Sequence, residues 1–151
     1  MWRAGVRARP GAIIGMSHPT IELVQLADTG DARGSSFPLG CEWLNFLGRA
    51  VDCHVMTIQP GQTRGNHYHQ KKREILIVTY KDRWSLCWDT GADSKPERRS
   101  FTGAGAVLVK VVPLASHAIV NDGKADLVVM ALCSEAYDPA APDAVGRVVS
   151  R

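Results

Sequence analysis

Five histidines occur in 151 residues, and two of them stand one residue apart in GQTRGNHYHQKKREI, residues 61–75. Side chains at even separation on a β-strand share a face, so His67 and His69 can reach one point. Glu74 cannot join them from the same straight strand. It can do so across a bend at QKKR, as the first residue of the strand that follows. His117, beside the apolar run AVLVKVV (106–112), can arrive from a facing sheet. Three neutral imidazoles and one carboxylate suit one divalent transition metal, Zn taken first, with Fe, Mn, Ni or Cu as alternatives. Without a metal the same groups would serve hydrogen bonding or acid–base work. His18 and His54 read as ordinary core or surface histidines.

The elements that must position these groups are short apolar or alternating runs separated by Gly, Pro, Asp and Asn, with almost no helical periodicity. They are TIELVQL (20–26), CEWLNFL (41–47), VDCHVMTIQ (51–59), EILIVTY (74–80), RWSLCWD (83–89), AVLVKVV, SHAIVN (116–121) and DLVVMALCS (126–134). Within VDCHVMTIQ, Val51, Cys53, Val55 and Thr57 alternate with Asp52, His54, Met56 and Ile58. EILIVTY and RWSLCWD are expected to form a hairpin turning at Lys81 and Asp82. So many strands without crossover helices predict an all-β antiparallel sandwich or barrel.

Length and composition fit one soluble domain: 45% of residues are apolar and 22% charged, and no apolar run approaches the ~20 residues of a membrane span. Arg3, Arg7 and Arg9 account for the net charge of +3. Residues 1–16 are therefore expected to be a flexible basic extension, 17–145 the domain and 146–151 a tail. GAIIGM is too short for the apolar part of a secretion signal. No basic footprint for nucleic acid is present outside the extension. Cys41, Cys53, Cys87 and Cys133 form no CxxC pair and read as buried structural thiols in a reducing cytoplasm.

On these residues the sequence resembles a cupin. The first cupin motif is met by Gly61, His67, His69 and Glu74, with Lys81 in place of its last glycine. The second keeps His117 and Asn121 in register, with Val112 and Leu114 where a proline and a glycine are usual. The resemblance implies a double-stranded β-helix, the cupin jelly-roll barrel. A narrower likeness over about residues 20–145 rests on DARG (31–34), PGQTRGNHYHQKK (60–72) and SEAYDPAAPD (134–143). These are similar to the cupin domain of capsular polysaccharide enzymes, which epimerises a nucleotide-linked keto-sugar behind a fused reductase. The resemblance implies that His67, His69, Glu74 and His117 hold the metal. It places Arg64 and Lys72 near a nucleotide diphosphate and turns Tyr68 away as packing. It also implies a homodimer, for which TIELVQL is a candidate exchanged edge strand.

For a keto-sugar substrate, a metal at the carbonyl oxygen would stabilise charge where it develops, and a base and an acid would move the neighbouring proton. Candidates for that base are a hydroxide on the ion, Tyr137 or Glu135. Trp84 and Trp88, on one face of RWSLCWD with Leu86, are expected to contact substrate, with barrel core as the alternative. The expected activity is thus epimerase or isomerase. The rivals are an Fe- or Ni-dependent dioxygenase of a small molecule and a non-catalytic ligand-binding cupin.

Overall fold

The computed structural model describes residues 21–89 and 94–151; the expected extension and His18 lie outside the described residues. In chain order the elements are β1 (Ile21–Gln25), α1 (Cys41–Leu47), β2 (Asp52–Ile58), β3 (Thr63–His69), β4 (Glu74–Tyr80), β5 (Trp84–Trp88), β6 (Glu97–Phe101), β7 (Gly105–Val111), β8 (His117–Val120), β9 (Leu127–Cys133) and β10 (Ala144–Gly146). Two five-stranded sheets result, ordered β1-β7-β4-β9-β2 and β10-β3-β8-β5-β6. Every pairing within them is antiparallel.

Alternation along the strands makes the interior. Leu76, Val78, Val107, Val109 and Val129 of the first sheet meet Trp84, Leu86, Trp88, Phe101 and Ile119 of the second in one buried cluster. Burying such a side chain contributes about 1.5–3 kcal/mol. This is the expected all-β jelly roll. β1 lies at an edge of the first sheet, paired with β7 of its own chain. Among the described residues, no helix is long and apolar enough to cross a membrane.

Three expectations are corrected. CEWLNFL is the helix α1, not a strand. Its Trp43, Phe46 and Leu47 pack on the outer face of the first sheet, against Val24, Ile75, Ile77 and Leu108. Seven apolar-rich residues are too few for periodicity to separate strand from helix. The Arg73 guanidinium fastens the helix by donating to the Leu47 carbonyl at 3.0 Å. Because α1 covers that face, β4 and β7 are buried on both sides, which is why EILIVTY and AVLVKVV read as unbroken apolar runs.

Second, β4 and β5 are not a hairpin. They lie in opposite sheets, and the turn at residues 81–83 carries the chain between them, while β5 pairs with β6 and β8. Sequence adjacency cannot distinguish a turn within a sheet from one between sheets. Third, only Cys87 and Cys133 are buried; Cys41 and Cys53 are exposed, and all four thiols are free.

Candidate active site and metal centre

Strand register brings the histidines and Glu74 together. His67 pairs with His117 across β3 and β8, and His117 with Trp88 across β8 and β5. Directly paired residues point to the same face, so both imidazoles enter the barrel. In the opposite sheet Glu74 pairs with Cys133, and Cys133 with Asp52. The two rows face each other across the barrel.

A bulge sharpens this aim. Gly65 pairs with Ala118 and His67 with His117, leaving Asn66 unpaired between them. Arg64 pairs with Ile119, a core residue, so Arg64 faces inward as well. An odd separation would otherwise put Arg64 and His67 on opposite faces; the extra residue reverses the parity. Gly65 permits the close approach: its φ is +102°, and a Cβ there would lie 2.6 Å from the His117 carbonyl oxygen.

Donor atoms of His67, Glu74 and His117 lie within 4.8 Å of one another. His117 Nε2 is 3.4 Å from Glu74 Oε2, and His117 Nδ1 is 3.2 Å from the Ala115 carbonyl oxygen. His69 stands slightly apart from this trio. Its Nε2 is 3.3 Å from Glu74 Oε1 and its Nδ1 3.4 Å from Asp143 Oδ2. Asp143 is itself held by accepting the backbone N–H groups of Lys71 at 3.0 Å and Lys72 at 3.1 Å.

Burial, together with His117 and His69 nearby, pushes the His67 pKa down to about 4. Burial lowers that of His117 too. Burial alone would raise Glu74, but the His69 hydrogen bond and the surrounding histidines outweigh it and hold the carboxyl at about 2. At neutral pH this is an ionised carboxylate facing the neutral imidazoles of His67 and His117, the protonation state that metal ligation requires. The Glu74 Oε2 atom is buried without a hydrogen-bond partner. An unpartnered carboxylate oxygen facing two imidazoles fits a divalent cation, and the His117–Ala115 contact is the outer support such ligands commonly have.

The group opens into a cavity of about 510 Å³. Leu76, Ile119, Val129 and Ala131 form an apolar part of its wall, and Arg64, Lys72 and Tyr137 also line it. Lys72 is buried, whereas Tyr137 is 71% exposed. Glu135 is exposed and is not among the lining residues. Neither are Trp84 and Trp88, which belong to the buried core, Trp84 stacked on Phe101 with ring centroids 4.3 Å apart.

Sequence reasoning passed over Asp52, His54, Met56 and Asp143. The first three line the cavity from β2. The signal is their spacing: they stand at even separations from Ile58, a core residue, so parity puts all four on the inner face. Asp143 carries no such signal, because its contact with His69 depends on β10 pairing with β3, where Ala144 lies opposite His69.

The sequence profile of the polysaccharide biosynthesis C-terminal domain matches residues 30–145. A curated relative, UDP-2-acetamido-2,6-beta-L-arabino-hexul-4-ose reductase of Pseudomonas aeruginosa, is 38% identical over 92 residues. That alignment takes in 58% of this chain but only 23% of the relative's length. Among solved structures, the 3,4-ketoisomerase QdtA of Thermoanaerobacterium thermosaccharolyticum, in complex with TDP, superposes with a TM-score of 0.64 at 20% identity. The match covers 85% of this chain and 88% of that one. The capsular polysaccharide assembling protein CapF of Staphylococcus aureus superposes with a TM-score of 0.60 at 23% identity, covering 83% of this chain and 35% of that one.

Proposed function

The chain belongs to the polysaccharide biosynthesis C-terminal domain family, and from that premise we propose that it is an epimerase or isomerase acting next to the carbonyl of a nucleotide-linked keto-sugar. The observation that carries this reading is His69, set between two carboxylates at the wall of the cavity. Moving a proton next to a ketone needs a base that can hold the proton and a positive charge for the oxygen that becomes negative. A proton taken up by His69 would leave an imidazolium with Asp143 opposite Nδ1 and Glu74 beside Nε2, so two carboxylates stabilise the charge. The Lys72 side chain, buried at the same cavity, would stabilise the developing oxyanion. Arg64 on the inner face of β3 suits a diphosphate, and the rim phenol of Tyr137 is a candidate donor for returning the proton.

The same proposal includes one divalent transition metal, Zn first. His67, Glu74 and His117 would hold it, leaving His69 beside Glu74 free to move the proton. When bound it would supply Lewis-acid polarisation of the carbonyl. The names of the similar proteins support the substrate class: one is a reductase of a UDP-linked hexulose and one a ketoisomerase bound to TDP. A homodimer is also proposed. Val55, Val128 and Met130, on the outer face of β2 and β9, are exposed large apolar residues and support it.

Deuterium exchange from D₂O into uridine- and thymidine-diphosphate keto-sugars tests the activity. Exchange is expected with the native protein, abolished by His69→Ala and slowed about 100-fold or more by Asp143→Asn. No exchange across the panel would overturn the reading. Elemental analysis, repeated after chelation, tests the metal, with about one ion per chain expected.

A further inference from the structure

We infer that Asn66 is a positioning residue of the site: its side chain clamps residues 147–150 against β3, and that clamp holds Asp143 on His69. The observations converge on this one amide. Asn66 Oδ1 accepts the backbone N–H groups of Val149 at 2.9 Å and Ser150 at 3.2 Å, and Nδ2 donates to the Ser150 hydroxyl at 3.0 Å. The Asn66 carbonyl accepts the Arg147 N–H at 2.7 Å. Arg147 in turn pairs with the buried carboxylate of Asp89, and Val149 is buried against Cys87 and Ala118.

Upstream of this clamp the segment pairs with β3 as β10, Val145 opposite Tyr68 and Gly146 opposite His67. The Gln70 N–H donates to the Asp143 carbonyl at 3.2 Å. Asp143 thus stands just before a short strand whose far end is fastened by Asn66, together with the Arg147–Asp89 pair and buried Val149. Asn66 also occupies the bulge, with φ of +57°, a conformation that asparagine tolerates better than most residues. One residue therefore performs two linked tasks. Its backbone reverses the parity of β3 so that Arg64 and His67 face inward together, and its side chain fastens the strand that delivers Asp143. A solvated bulge would need only the first.

The inference rests on the reading of His67 and His69 as working groups, so its test uses signals present without substrate. Asn66→Gly keeps the positive φ and removes the amide. Ser150→Pro leaves the bulge untouched and removes one backbone donor, the hydroxyl and nothing from β3. Asn66→Asp keeps the acceptor and serves as the conservative rescue. Each is followed in the metal-free protein at one fixed pH by ¹⁵N shifts of the histidine rings, by amide exchange at residues 145–150, and by zinc affinity against a chromophoric chelator. Expected in Asn66→Gly and Ser150→Pro are faster exchange at residues 147–149 and displaced His69 ring signals. Zinc binding should weaken about tenfold, and Asn66→Asp should recover most of both effects. Lost protection at residues 147–149 with unchanged His69 signals in either variant would overturn the inference. Native protein without zinc affinity would instead count against the metal proposal alone, because the ring signals decide positioning by themselves.

Discussion

β4 runs from Glu74 to Tyr80, roughly 20 Å at strand rise, and its two ends face different interiors. At the first, Glu74 meets three histidines beside an open cavity. At the second, Tyr80 packs on Trp84 and Phe101, with ring centroids at 5.8 and 6.3 Å. Strand alternation is the same at both ends, so the backbone does not choose between site and core. Side-chain volume and covering elements do. Three aromatic rings fill one end, whereas imidazoles and a carboxylate at the other leave room and depend on β10 and Asp143 for support. Unpartnered buried polar atoms occur at both ends, Glu74 Oε2 at the open one and Trp84 Nε1 at the closed one, but only the open end sets its atom among imidazoles.

Substitutions that exchange these properties should break the contrast. Trp84→Ala, removing a fully buried ring, is expected to cost about 3–5 kcal/mol in denaturant unfolding, while His67→Ala costs much less. Equal losses would show that the histidine end is as structural as the aromatic one. Gly65→Ala strains the open end through its backbone, since φ is +102° and the new Cβ would meet the His117 carbonyl. A loss of about 1–3 kcal/mol, accompanied by weaker metal binding, is expected.

Stability against pH sharpens the comparison further. His67 sits at about 4 in the folded protein against an ordinary 6.5, and His117 is lowered as well. As pH falls from about 6.5 to 4, the unfolded chain takes up protons that the fold refuses, so stability declines through that window. Glu74, held at about 2 against 4.5, contributes stability above 4.5 that is lost as pH falls towards 2. Urea midpoints of the metal-free protein should therefore drop between pH 7 and 4, and His67→Asn should flatten the curve. An unchanged slope in that variant would remove His67 as its source. The smallest effect belongs to the closed end: the Tyr80 hydroxyl reaches Gln25 Oε1 only at 3.4 Å. Tyr80→Phe should shift the unfolding free energy by less than about 1 kcal/mol.

Much of this was legible in the residues. The even spacing of His67 and His69, and the placing of Glu74 at the head of the next strand, anticipated the inward-facing cluster. The alternation of VDCHVMTIQ holds the parity that places Asp52, His54 and Met56 on the cavity wall, but parity alone does not distinguish a cavity-lining His54 from an ordinary one. CEWLNFL misled because seven residues carry too little periodicity. RWSLCWD did so because aromatics on an inner face can line a pocket or fill it, depending on what stands opposite.

By itself the sequence determined the all-β class, the faces of most strands and the chemical identity of the histidine–carboxylate cluster. Those follow from local rules: a period of two, turn residues and ligand chemistry. Only the tertiary structure decided that β4 and β5 part into opposite sheets and that Trp84 fills the barrel. It likewise decided that a bulge at Asn66 turns Arg64 inward and that Asp143 stands against His69. Each depends on which strands become neighbours across many residues, and pairing between distant strands is set by the packing of the whole barrel rather than by local sequence.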